Sequence, residues 1–263
     1  MNTRTLSTEA QKVIQAYEQF CLGGACVRIP YFNNKKTGSR RALPSQIGKG
    51  NPKEIEDEIL LTLKKTPATL GKISPQNLTD IMVAESIGID CSGYALYVLD
   101  AESRSRGKGS IDRHLSFPLA GNIFMRILAH IHPSTNTNVA TFAHPKNSSE
   151  IKLTEVMPGD IITILNTTQS ERNHILIVTN VDYQNFVPTA IYYTHSIAWP
   201  SDGTHNHGIR HGKITITDIS RPLNDQQWTE SHADNPELAA NEKNYTHERA
   251  QQGITTLRRL NWF

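Results

Sequence analysis

A cysteine at the first turn of a helix is the residue in this chain best placed to act as a nucleophile. Cys91 stands in the segment GIDCSGYALYVL, where Asp90 reads as the cap of an apolar helix and Cys91 as part of its first turn. The unpaired amides and dipole of a helix start stabilise a thiolate, so this position predicts a lowered thiol pKa. An imidazole that takes the thiol proton and later returns it to a leaving amine completes such a nucleophile. Two histidines on later apolar segments offer that chemistry. His174 opens HILIVTNV, and His195 lies in YYTHSI one segment on. In this arrangement Cys91 attacks a carbonyl, His174 is the base, and His195 holds the far nitrogen of His174 to fix its tautomer. The backbone amide of Cys91 or Ser92 is the natural oxyanion donor at a helix start. The side chains of Ser92 and Asn173 are further oxyanion candidates, Tyr94 is a candidate for the groove wall, and Gly93 leaves room for close approach of a substrate.

These residues need elements to hold them. Amphipathic spacing predicts a helix over Ser7–Phe20, with Thr8 and Gln11 as a capping box and Gly23-Gly24 as its end. A short strand is expected in Ala25–Tyr31 and a loop over Asn33–Gly50. Asn51-Pro52 and Ser74-Pro75 are two further helix starts, the first followed by Glu54, Glu56, Asp57 and Glu58, which suit the positive end of a helix. An apolar helix is expected over Leu119–His130. The pattern then turns to β-branched runs, predicting strands at Ile161–Leu165, His174–Val181, Ala190–Ile197 and Lys213–Ile219. Helices first and strands later argue an α+β fold with an antiparallel sheet.

The order DCSG at a helix start, Pro158-Gly159-Asp160 before a strand, His174 opening the next strand and His195-Ser196 one strand later resembles the NlpC-type family of cell-wall cysteine endopeptidases. The resemblance covers about residues 88–98 and 156–219. It implies a papain-like fold, with the cysteine helix packed on an antiparallel sheet, and catalytic roles for Cys91, His174 and His195. It also implies a bacterial hydrolase cleaving an amide in a peptidoglycan stem peptide or related γ-glutamyl peptide through a thioester on Cys91. The same residues serve a thioester-based acyl or amide transferase. The tryptophan- and glycine-rich approach that often precedes the family's cysteine is absent, and the stretch between Cys91 and His174 is long. These departures motivate a rival reading, a papain-like binding protein without activity. The domain plan is an N-terminal helical extension over 1–73, a catalytic domain over 74–222 and a C-terminal extension over 223–263 packed on the core.

Composition narrows the field. The chain has 263 residues, 37% hydrophobic, with a net charge of +2. Its one basic cluster, Lys35, Lys36, Arg40 and Arg41, has no interleaved aromatics, so no nucleic-acid partner is expected. Gly48-Lys49-Gly50-Asn51-Pro52 is too short for a phosphate loop, follows no clear strand and reads as a cover for the groove. His205, His207 and His211 sit in a glycine-flanked segment without a recognised ligand spacing, so neither metal nor organic cofactor is expected. Cys21 and Cys26, spaced C-x4-C, read as buried free thiols beside the first helix. With no apolar signal region and no membrane-spanning run, the expectation is a reduced, cytoplasmic protein by default, with export by another route left open. The expected partner is a peptide or peptidoglycan fragment, and composition does not set the oligomeric state.

Overall fold

Period-two alternation gives the sheet two buried faces. The computed structural model describes residues 2–34, 43–65, 73–166, 173–199, 203, 205–231 and 244–263. The strands are β1 (Asn2–Thr5), β2 (Phe20–Leu22), β3 (Ala25–Val27), β4 (Ser148–Glu150), β5 (Ile161–Leu165), β6 (His174–Gln184), β7 (Val187–Ile197), β8 (Gly208–Thr215), β9 (Gln227–Ser231) and β10 (Ile254–Leu260). The helices are α1 (Thr8–Glu18), α2 (Pro52–Lys65), α3 (Pro75–Ala84), α4 (Cys91–Ser105), α5 (Ile123–Ile131), α6 (Pro133–Asn136), α7 (Val139–Ala143) and α8 (Tyr245–Gln252). The large sheet runs β4-β10-β5-β6-β7-β8-β9, with β1 also pairing β6. Its pairings are all antiparallel. The fold is therefore α+β with helices and an antiparallel sheet, as the sequence predicts.

Alternation sorts each strand between two cores. Ile161, Ile175 and Ile177 join the core beneath α1 and α4, with Tyr17, Tyr94 and Leu99. Ile162, Leu176, Val178 and Tyr193 join the other core, with Trp228 and Ala250.

The segments expected as extensions are built into this body. β1 adds to β6, and α1 packs on α4, tied by the bond from the Ser7 amide to Glu102 Oε2 at 2.8 Å. At the other end, β10 inserts between β4 and β5, and β9 closes the far edge on β8. Arg259 of β10 grips Asp160 of the Pro158-Gly159-Asp160 turn with Nε at 2.7 Å and Nη2 at 2.8 Å. Both terminal segments thus pair into the same sheet as the middle segment, a relation that long-range strand pairing leaves unmarked in the local sequence.

The N-terminal prediction also shifts. Ser7, not Thr8, caps α1, accepting from the Ala10 amide, and α1 ends at Gln19 rather than at the glycines. Gly23 and Gly24, with φ of 59° and 84°, form the two-residue turn between β2 and β3, a conformation that glycine adopts without strain. That turn sets Cys21 directly opposite Cys26, with their Cα atoms 4.0 Å apart and their sulfurs joined in a disulfide. Both cysteines are exposed, so the expectation of buried free thiols is overturned. The other helix starts stand as expected: Asn51 caps α2 in a reciprocal pair with Glu54, and Ser74 caps α3. The cluster Lys35, Lys36, Arg40 and Arg41 lies outside the described residues. Among the described residues, no helix is long and apolar enough to cross a membrane.

Candidate active site

Asp90 builds the start of α4. Its carboxylate accepts from the Gly93 amide at 2.6 Å, and its carbonyl accepts from the Tyr94 amide at 2.9 Å. These bonds employ the third and fourth amides of the helix start and leave those of Cys91 and Ser92 outside the helical ladder. Lys49 lies under this turn, with Nζ 2.8 Å from Asp90 Oδ1 and 2.5 Å from Ser92 Oγ. The pair is nearly dry, with side chains 8% and 9% exposed. Gly48-Lys49-Gly50 is thus a floor beneath the helix start, and Lys49 is also part of the cavity wall. Gly93 allows this approach: a Cβ there would stand 2.5 Å from the Gly48 carbonyl oxygen. Its role is packing between the helix and this floor, rather than the room for substrate expected from sequence.

On the sheet, three side chains form one hydrogen-bonded line. His174 Nε2 is 2.6 Å from His195 Nδ1, and His195 Nε2 is 3.0 Å from Glu230 Oε1. The second oxygen of Glu230 accepts from the Tyr193 hydroxyl at 2.8 Å. Alternation carries all four residues on one face: His174 with Leu176 on β6, His195 with Tyr193 on β7, and Glu230 with Trp228 on β9. Gly212 of β8 makes the line possible, because a Cβ there would meet the Tyr193 ring at 2.1 Å.

The carboxylate fixes the protons. Glu230 only accepts when ionised, so His195 Nε2 donates to it and His195 Nδ1, as a neutral ring, accepts. His174 Nε2 then donates, and the lone pair of His174 falls on Nδ1, the nitrogen not used in the line. Burial raises the Glu230 pKa, but its interaction and hydrogen bond with His195, together with the Tyr193 hydroxyl, outweigh it and hold Glu230 below the ordinary value. Burial, with Arg249 and then His195 adding to it, holds His174 well below 6.5, so its ring is neutral near pH 7.

The thiol lies beside the start of β6, in the core of Ile175 and Ile177. The amide of Ile175, the residue after His174, donates toward the Cys91 sulfur. Burial pushes the Cys91 pKa from 9.0 up to about 12 and Asp90 adds to that, while Lys49, Arg249 and the Ile175 amide pull the other way. The sequence expectation of a lowered thiol pKa is thus overturned, since loss of water outweighs the helix start. Tyr31, whose backbone pairs with Ile89, lies within electrostatic reach. Burial, then the charges of Cys91 and Asp90, push its phenol well above the ordinary value, leaving it a donor.

A cavity of about 660 Å³ opens on Cys91, with Lys49, Phe117, Asn138, Asn166 and Asn173 among its walls. Asn173 borders the cavity and accepts from the Asn166 amide at 3.0 Å. Ser92 is also at the wall, but its hydroxyl is committed to Lys49 and to Asp90, the latter at 3.0 Å. Tyr94 is not at the wall. It is fully buried, stands edge-on to Tyr17 at 5.4 Å, and bonds Thr194 Oγ1 at 3.1 Å. It is a core residue, which corrects the groove assignment. Sequence reasoning missed Glu230, Tyr193, Lys49, Tyr31 and Arg249. The one signal for Glu230 was its place in the alternating run QWTES.

His205, His207 and His211 border a separate cavity of about 570 Å³ beside α1 and β3. His205 pairs with Asp80 at 3.3 Å, and His211 pairs with Glu18. Among the described residues, no three His, Cys, Asp or Glu side chains converge as metal ligands. No protein-family model, no curated protein and no solved structure matches this chain.

Proposed function

We propose that the protein is a papain-like cysteine hydrolase that opens an amide bond through a thioester on Cys91. The observation that carries the reading is the line His174–His195–Glu230, which leaves Nδ1 of His174 outside its hydrogen bonds, one residue before the Ile175 amide that donates toward the Cys91 sulfur. On substrate binding, the Cys91 proton passes to His174 Nδ1 and the sulfur attacks the amide carbon. The negative charge on the former carbonyl oxygen is met by the Cys91 amide, and the Tyr31 phenol supplies a second donor. His174 then returns its proton to the leaving amine, and the acyl group stays on sulfur. Water attacks the thioester with His174 as base and frees the carboxylate. Because both partners rest neutral, the thiolate forms only as the proton moves. Glu230, through His195, steadies the imidazolium that results.

The resemblance to the NlpC-type endopeptidases points to a bacterial protein and a peptidoglycan stem-peptide or γ-glutamyl amide as substrate. The transferase variant differs only in the group that resolves the thioester, an amine in place of water. A disulfide persists in oxidising compartments, so the Cys21–Cys26 bond favours action outside the reducing cytoplasm. The burial that holds Cys91 protonated is also what favours the second reading, a binding protein without turnover. Mass spectrometry of purified stem peptides incubated with the protein and with Cys91→Ala separates these readings. New amine and carboxyl ends with the unaltered protein alone support the hydrolase. Peptides left intact by both support the binding protein.

A further inference from the structure

The helix α5 carries its apolar side outward. Ile123, Ile127 and Ile131 recur every four residues with Phe124 and Leu128 beside them, forming one arc of the helix. Each of the five is 45–77% exposed. Ala129, on the opposite side, is the one buried residue of the helix, and the exposed His130 stands edge-on to Phe117 at 5.1 Å. A contiguous aliphatic face of this kind on a folded chain marks a surface that something covers.

We propose that α5 docks the protein on an anionic lipid surface. Three observations choose lipid over another protein. The arc is Ile, Phe, Ile, Leu and Ile, without a hydrogen-bonding group, whereas protein interfaces carry Tyr, Trp and Arg and make regular hydrogen bonds. The sequence from 113 to 149 contains no Asp or Glu and holds Arg113, Arg126 and Lys146, so the surroundings suit a negative surface. The apolar face also continues into the cavity: Leu119 is exposed and lines the cavity that opens on Cys91. Docked through α5, the protein presents that cavity along the lipid surface. If the proposed hydrolase function holds, its substrate is an amide on a membrane-tethered molecule; the docking itself does not depend on that function.

The test uses the full chain and sedimentation with vesicles of phosphatidylcholine alone or mixed with an equal part of phosphatidylglycerol. The expected result is binding to the mixed vesicles that weakens in high salt and falls at least about tenfold in Phe124→Ser/Ile127→Ser. Arg126→Glu is expected to weaken binding to the mixed vesicles by several fold. These side chains are exposed, so circular dichroism and thermal melting should match the unaltered protein. Failure of the protein to sediment with mixed vesicles overturns the proposal, as does undiminished binding by the double variant. Light scattering that finds a dimer, split to monomers by the same double variant, also overturns it and assigns the face to a second copy of the chain.

Discussion

Replacing Glu230 with Gln tests the proton line with little change of shape. The carboxylate is fully buried and accepts from both Tyr193 and His195. A glutamine has one acceptor for these two donors. The Tyr193 hydroxyl, the closer at 2.8 Å, keeps the carbonyl, so the amide NH2 faces His195. His195 must then accept at Nε2 and donate from Nδ1, and His174 must accept at Nε2 and carry its proton on Nδ1. That tautomer cannot take a proton from Cys91. Restoring the working tautomer sets two buried donors against each other, at about 1–3 kcal/mol each. A total of about 2–6 kcal/mol corresponds to roughly 30- to 30,000-fold in rate. Two assays read the effect: the rate of Cys91 acylation by an activated acyl donor, and long-range nitrogen–proton NMR of the imidazoles. The unaltered protein should show the Nε2–H form of both rings and the variant the Nδ1–H form. A variant that keeps its fold and reacts within about threefold of the unaltered protein would refute the reasoning. So would finding His174 protonated on Nδ1 in the unaltered protein. Stability gives a further sign: Glu230 is held below its ordinary pKa, so its contribution is present above about 4.5 and is lost as pH falls through the lower folded value. The glutamine variant should lack that acid limb.

Three other outcomes follow from single contacts. Gly212→Ala should force the Tyr193 ring off Glu230, destabilise by about 1–3 kcal/mol, and slow acylation with it; chemical denaturation and the acylation rate check both. Lys49→Met should strand the buried Asp90 carboxylate and cost about 3–5 kcal/mol, measured by denaturant midpoint. Thiol titration of the unfolded chain should find one thiol without reductant and three after reduction, whereas three before reduction would deny the Cys21–Cys26 bond.

What the sequence made legible is local or strongly periodic. Asp90 as cap and Cys91 in the first turn depend on a few adjacent residues, and the structure has them there. Strand β5 matches its predicted bounds, and β6 and β7 match in core and run longer, because β-branched residues buried on both faces mark them plainly. The bond between His174 and His195 was likewise readable, since both lie in such strands. Glu230 was not readable: it reaches His195 only because β9 pairs with β8, a relation between distant residues in a polar segment. The same blindness hid β10 between β4 and β5. Taking Gly23-Gly24 as a helix end concealed the hairpin, and with it the disulfide. The thiol pKa went wrong for another reason: the sequence names the helix dipole but not the burial that outweighs it. The apolar run of α5 was readable as a helix, but its outward orientation was not.

The central claim is that His174 activates Cys91, and the most direct test is the pH dependence of Cys91 acylation in the unaltered protein and in His174→Ala. His174 works as a base only when neutral, and burial holds its pKa below 6.5. The unaltered protein should therefore acylate at near-full rate at pH 7, lose rate only as pH falls below that ordinary value, and label at Cys91 alone by peptide mapping. His174→Ala should react at least about 100-fold more slowly at pH 7 and regain rate only as pH rises toward the thiol's own pKa. Equal rates for the two proteins at pH 7, or one shared pH profile, would contradict the account.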